Sequence, residues 1–381
     1  MGQKNPDRFT RAAISPAALL VLALTLCASR AMAQTSAPAD WEQQWKQWIA
    51  GAQKEGKVVV VAPPDPQVRQ ALPAAFKKRF GITVDYLGGR SNESSVKLRT
   101  EKDAGFNTVD VALSGIQTMA TIFYREKMLE PLPPILILPE VVDGSKWKAG
   151  KLWFMDPEQK YILRLFNTLG TLFYVNTQGV NPDDFKSAKD LLNPRYRGKI
   201  IIHDPTVPGA GSNDAARLYV QFGEGFIKKL YVDQKPMISR DRRQVTDAVI
   251  HGTYPIAFSA SSDELARLVK EGLPLKGIES LPDLQGSLSA GVGEVGMIVN
   301  APHPNAAKLF VNWIASKEGL EVFSRARGDA VTRNDIDELS YLAPEVVPRP
   351  GVDYFDTYDW EFTVTTKEKI RLRMKELLRA P

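Results

Sequence analysis

The stretch that decides the fold is Glu55-Gly56-Lys57-Val58-Val59-Val60-Val61-Ala62, closed by Pro63-Pro64-Asp65. A β-branched run with no polar alternation predicts a strand buried on both faces, the habit of a parallel sheet covered by helices. Working outward, Val68, Leu72, Ala75, Phe76 and Phe80 form one helical face. Ile82-Thr83-Val84-Asp85-Tyr86 then alternates like a strand and breaks at Gly88-Gly89-Arg90-Ser91. A helix is expected over 93–104 and a third strand over 109–113, stopped by Ser114-Gly115. Upstream, Trp41, Trp45 and Trp48 recur at i, i+4 and i+7. That face suits packing on the core, with ligand stacking as the alternative.

The alternation continues. Leu169 to Asn176, Gly198 to Ile202, Tyr254 to Phe258 and Val295 to Asn300 read as strands. Helices are expected within 182–194, from Asn213, over 244–250, over 263–271, over 304–316 and in a charged tail over 367–378. Pro131 to Pro139 is proline-rich and apolar and suits a crossing between elements. Helix and strand in alternation give an α/β class with mostly parallel sheets.

The first residues read as an address. Lys4, Arg8 and Arg11 precede an apolar stretch from Ala12 to about Ala28, and Ala31-Met32-Ala33 is a small-x-small cleavage site. This is the layout of a secretory signal peptide over 1–33, with cleavage expected before Gln34. The sole cysteine, Cys27, lies inside it and follows Leu26, which does not fit a lipid-anchor site. The whole chain carries a formal charge of +5, of which the leader's four basic and one acidic side chains supply +3. The remainder is nearly neutral and has no basic run interleaved with aromatics, so nucleic-acid binding finds no support. Its length of 348 residues, 381 less the leader, suggests two lobes.

Several strings occur in a telling order: Glu55-Gly56-Lys57, Gly89-Arg90-Ser91, Val109-Asp110-Val111, Tyr174-Val175-Asn176-Thr177, Asp190 to Ile200, Asp204-Pro205-Thr206 and Asn300 to Ala307. They resemble the bacterial extracellular solute-binding proteins, in the branch labelled ferric-iron transport, over about Trp41 to Arg325. The resemblance implies a two-lobed periplasmic binding protein fold of type II, each lobe a mostly parallel sheet flanked by helices, with ligand in the cleft between them. It places lobe one at 41–171 plus 293–325, lobe two at 177–292, and a C-terminal helical segment, 326–381, docking on lobe two. It also implies a periplasmic monomer whose partners are a small-molecule ligand and an inner-membrane ABC permease, with no cofactor.

Ligands of open α/β sheets bind beyond the carboxyl ends of the strands. The loops at those ends nominate Asp65, Arg90, Ser91, Ser114, Asp204, Thr206, Gly211, Ser212, Ser259, Ser261 and Ser262, with Tyr174 and Glu294 near the crossings. Glycine and serine before a helix suit an anion, and Arg90 offers a planar fork for carboxylate or phosphate. Ser212 and Ser262 equally suit N-capping, Asp65 and Asp204 a cap or turn, Arg90 a surface ion pair, Tyr174 hinge packing and Glu294 a turn. Ferric binders of this family present adjacent tyrosines after the strand that ends here at Phe258, whereas this chain has Ser261-Ser262-Asp263-Glu264. His203, His251 and His303 are scattered and lack metal-ligand spacing. The expectation is therefore a small anionic organic ligand and no metal, with a ferric ion or complex as the alternative. No Gly-x-Ser-x-Gly elbow, Walker loop or His-Glu-x-x-His occurs, so an enzyme is not expected and a periplasmic hydrolase or transferase ranks lower. A sensory co-receptor would share the fold and differ only in partner.

Overall fold

The computed structural model describes residues 39–89 and 98–379, which belong to one compact unit. The expected leader, Arg90 and Ser91 lie outside the described residues. In chain order the elements are α1 (Trp41–Glu55), β1 (Lys57–Ala62), α2 (Pro66–Phe80), β2 (Thr83–Gly88), β3 (Val111–Ser114), α3 (Ile116–Thr118, continued by π-helical turns Met119–Tyr124) and β4 (Leu163–Arg164). Then come β5 (Thr168–Gly170), β6 (Phe173–Asn176), β7 (Ile200–His203), α4 (Ala210–Lys228), β8 (Met237–Ser239), α5 (Arg242–Ile250), β9 (Ile256–Phe258), α6 (Ser262–Lys270) and β10 (Leu275–Ile278). The chain ends with β11 (Ser287–Ser289), β12 (Glu294–Met297), α7 (Pro304–Ala315), α8 (Lys317–Arg327), β13 (Phe355–Asp356) and α9 (Lys367–Leu377).

Two five-stranded sheets form the lobes, in orders β2-β1-β3-β12-β4 and β10-β6-β9-β7-β8. The bilobed α/β architecture matches the expectation, but the sheets are mixed. β12 runs antiparallel to β3 and β4, and β6 antiparallel to β9 and β10. The cause is topological: β6 and β12 enter each sheet from the other lobe, opposite to the strands wound locally. A third sheet, β13-β11-β5, lies between, with β5 and β11 antiparallel and β13 parallel to β11.

β1 shows why its sequence is continuously apolar. Val58 and Val60 pack on one face with Phe76, Phe310 and Trp313, while Val59 and Val61 pack on the other with Ile116 and Phe123. Each buried valine contributes roughly 1.5–3 kcal/mol. Asp110, buried beside this strand, accepts from the Val59 N–H at 2.7 Å and from the His303 N–H and Nδ1, so His303 is a brace. On α7, Asn312 takes the Ile137 N–H at 2.9 Å and donates to the Ile135 carbonyl at 2.8 Å, which pins the proline-rich crossing.

Three local expectations shift. The helix expected within 182–194 is three separate 3-10 turns, because Asn181, Ser187 and Asn193 each accept from a nearby backbone N–H and prolines restart two of the turns. α4 starts at Ala210 rather than Asn213, since Gly209 turns the chain at φ 145°. The tryptophan face packs as expected of core: Trp48 is buried and Trp45 meets Phe80 edge-on at 6.1 Å.

Candidate functional site

In open α/β sheets ligands bind beyond the carboxyl ends of the strands, which makes those of β1, β2 and β3 in one lobe and of β7, β8 and β9 in the other the candidate walls of a cleft. In the first lobe the register aligns Ser114, Glu294 and Arg164 side by side, since Glu294 pairs with both neighbours. Directly opposed residues share a face of the sheet. Arg164 is 0 % exposed: its Nε donates to the Phe166 carbonyl at 2.8 Å, Nη1 to Asp356 at 2.7 Å and Nη2 to Asn167 at 3.1 Å. Its guanidinium also lies 4.3 Å from the Trp153 ring centre. Glu294 is 0 % exposed, and among the described residues neither carboxyl oxygen has a hydrogen-bond partner. Burial pushes its pKa well above the usual carboxylate range, and the charge of Arg164 only partly opposes this.

Asp65 accepts from the N–H groups of Gln67 and Val68 and pairs with Arg327 at 2.7 Å. Arg327 also holds Asp329 at 3.1 Å, and Asp329 accepts from the Thr168 hydroxyl. This chain ties the β1 loop to β5. Ser114 is buried in a small recess with Ala62, Pro63, Gly89, Thr118 and Val292.

In the second lobe, Gly211 sits so close to the His203 carbonyl that a Cβ there would lie 2.1 Å from it. The Gly211 N–H donates to His203 Nδ1 at 3.3 Å, and burial, followed by the nearby Arg242 charge, lowers the histidine's pKa. Ser212 closes on Gly209, taking its N–H at 3.1 Å and donating to its carbonyl at 2.9 Å. Asp204 accepts from the Thr206 N–H and hydroxyl and from Arg240 at 2.9 Å. Burial alone would raise its carboxyl; the bonds from Thr206 and Arg240 outweigh that and hold it below the ordinary value. Ser259, at φ 61°, donates to Asp214, whose carboxyl burial pushes up against the pull of Arg217. Arg242 donates to the carbonyls of Ser259 and Ala260 and fixes the loop from behind. The Ser261 N–H is taken by Thr246, yet the Ser261 side chain, at the N-cap of α6, makes no capping bond. Tyr174 is buried, its hydroxyl 3.4 Å from the Ser262 carbonyl.

The candidates therefore divide. Asp65, Asp204, Thr206, Ser212 and Ser259 spend polar atoms on turns, caps and braces, while Ser261, at the N-cap of α6, makes no side-chain capping bond. Sequence reasoning missed Arg164, Asp214, Arg327, Asp329, Asp356 and Tyr358. Only Arg164 left a signal, a lone charge inside Ile162-Leu163-Arg164-Leu165-Phe166. Among the described residues, no group of three or more His, Cys, Asp or Glu side chains is placed to hold a metal ion.

Residues 61–321 match the family described as bacterial extracellular solute-binding protein. Among solved structures, the Trichodesmium protein IdiA (FutA) in complex with iron and citrate ligands superposes with a TM-score of 0.61 at 18 % identity, covering 85 % of this chain and 98 % of that one. AfuA of Actinobacillus pleuropneumoniae, with fructose-6-phosphate bound, gives 0.57 at 19 % identity over 86 % and 100 %. The apo ferric ion-binding protein A of Pasteurella haemolytica gives 0.63 at 13 % identity over 85 % and 98 %. With a family match over more than half its length and the two-lobed architecture described above, the chain belongs to the bacterial extracellular solute-binding proteins, non-catalytic periplasmic components that deliver a small ligand to an ABC transporter.

Proposed function

We propose that the cleft takes a small organic anion whose charged group rests on the N-terminus of α6. The observation that carries this reading is that the Ser261 side chain makes no capping bond at the start of α6, so that first-turn N–H groups and the positive end of the helix dipole are offered to a ligand's charge. The hydroxyls of Ser261 and Ser262 belong to the residues that open that helix. The fructose-6-phosphate carried by AfuA supports the same chemistry. The protein acts as a monomer with no nucleic-acid partner.

A second reading, ferric iron as cargo, is favoured by the iron-binding proteins that share this fold. Burial holds the Tyr86 and Tyr358 phenols above their ordinary pKa, against phenolate formation, so the cargo on this reading is a ferric complex of an organic anion such as citrate. Calorimetric titration of the exported form, Gln34 onward, separates the readings. Citrate, fructose 6-phosphate or inorganic phosphate binding without iron supports the first. Binding of ferric citrate but not citrate supports the second, and binding of neutral sugars alone overturns both.

A further inference from the structure

The C-terminal segment crosses from one lobe to the other at the level of the strand ends. Asp356 pairs with Arg164, the Thr357 hydroxyl donates to the Leu288 carbonyl at 2.7 Å, and the Tyr358 hydroxyl donates to the Gly291 carbonyl at 3.0 Å. Trp360 meets Tyr124 edge-on at 5.0 Å, and Phe362–Thr366 packs against α3 of the first lobe. Partners in the second lobe begin with Phe362, buried in its core, and continue one turn later. Ile370 and Met374 join its core, α9 packs on α4, and Arg371 donates to the Thr206 carbonyl at 2.8 Å in the loop after β7.

Lys367 stands at this changeover. It precedes Arg371 by four residues and so shares its helix face, the one turned toward the β7–α4 loop. The side chain is half-buried, and its ammonium makes no hydrogen bond or ion pair with the described residues. The adjacent Glu368 carboxylate acts on it, but Arg371 holds that carboxylate at both oxygens. A desolvated ammonium without a counter-charge is costly, and proteins rarely keep one without use.

We propose that Lys367 is a ligand-contacting residue, an ammonium brought to the cleft by the C-terminal segment to meet the charge of the bound anion. This rests on the reading of the ligand as an anion. The burial that draws the amine down to about 8 agrees with a site waiting for a counter-charge.

The test titrates citrate, fructose 6-phosphate and inorganic phosphate into the exported chain and into Lys367→Met, Lys367→Arg and Lys369→Met. Lys369 is exposed on the same helix and serves as the control. For the anion that binds the wild type, Lys367→Met should weaken affinity at least about tenfold, Lys367→Arg should recover most of it, and Lys369→Met should stay within about twofold. Methionine fills the same space without the charge, so the ligand-free melting point should hold or rise. A Lys367→Met affinity within twofold of wild type overturns the assignment while leaving the anion reading intact. A wild type that binds none of the three probes removes the anion reading and the assignment with it.

Discussion

The two walls of the cleft are built from the same parts, strand ends followed by helices, yet they use polar side chains in opposite ways. On the first lobe nearly every charge is spoken for. Arg164 is committed to Asp356, Asn167 and the Phe166 carbonyl, Asp65 caps α2 and pairs with Arg327, and Arg327 and Asp329 lead on to Thr168 of β5. These bonds run toward the middle sheet rather than into the cleft. On the second lobe the loop is braced by Arg242 and Thr246, and the Ser261 side chain at the N-cap of α6 makes no capping bond. The difference teaches where an anion, as proposed, would find unspent polar groups: on the second wall, with the first given over to holding its own strands together.

The severest test of that division is Arg164→Met. It strips the counter-charge from Asp356, takes the Arg164 donors from Asn167 and the Phe166 carbonyl, and removes the positive charge that favours ionised Glu294. Breaking a buried pair from one side costs roughly 3–5 kcal/mol. Urea denaturation should show that loss, and Arg164→Met with Asp356→Asn should lose less than the sum of the two single changes. If Arg164→Met instead keeps its stability and loses only ligand affinity, the first wall is a recognition surface and the contrast fails.

Glu294→Gln probes the same wall with the opposite sign. Burial raises the carboxyl's pKa, so the folded chain keeps a proton that the unfolded chain gives up above about pH 4.3. Such a group supports the fold fully below the unfolded pKa and withdraws that support as pH rises through the folded one. Glutamine needs no ionisation, so the variant should exceed wild type by roughly 1–3 kcal/mol near pH 8. The gain should shrink toward pH 4. A gain that does not change between those pH values would mean that Glu294 does not titrate within the window.

On the second wall, Ser261→Asp sharpens the comparison because stability and binding should part company. An aspartate at the N-cap satisfies first-turn N–H groups and suits the dipole, so α6 should hold or gain stability. The same carboxylate would occupy the place assigned to the ligand's charge and repel it. Anion affinity should fall about tenfold or more, read by calorimetry, with no drop in melting temperature. Equal affinity in variant and wild type would move the anion away from α6.

How much of this could be read from the residues follows from where each signal lives. β1 was legible because four valines in a row have few other uses, and α7 and α9 because their periodicity survives over several turns. The stretch 182–194 was not, since its apolar spacing fits a helix while asparagine and serine side chains cut it into single turns. The loops at the strand ends were found from topology alone, but not what their side chains do. Whether serine caps or waits depends on neighbours such as Thr246, fifteen residues earlier. Arg164 and Asp356 are 192 residues apart and meet only through register and the path of the C-terminal segment. No local pattern announces such a pair, and none announces Lys367.

The mildest change is Ser212→Ala. Its hydroxyl spans the N–H and carbonyl of Gly209 at the start of α4 and is buried. Removing it takes the partner from the Gly209 N–H, while the Gly209 carbonyl keeps the Asn213 N–H at 3.1 Å, a loss of about 1 kcal/mol at a turn that Gly209 and Gly211 already shape. Because the oxygen is engaged within its own loop, anion affinity should stay within about twofold of wild type. Chemical denaturation and calorimetry on one preparation read both numbers. A large affinity loss with little change in stability would return Ser212 to the recognition surface and extend that surface from α6 to the neighbouring β7–α4 loop.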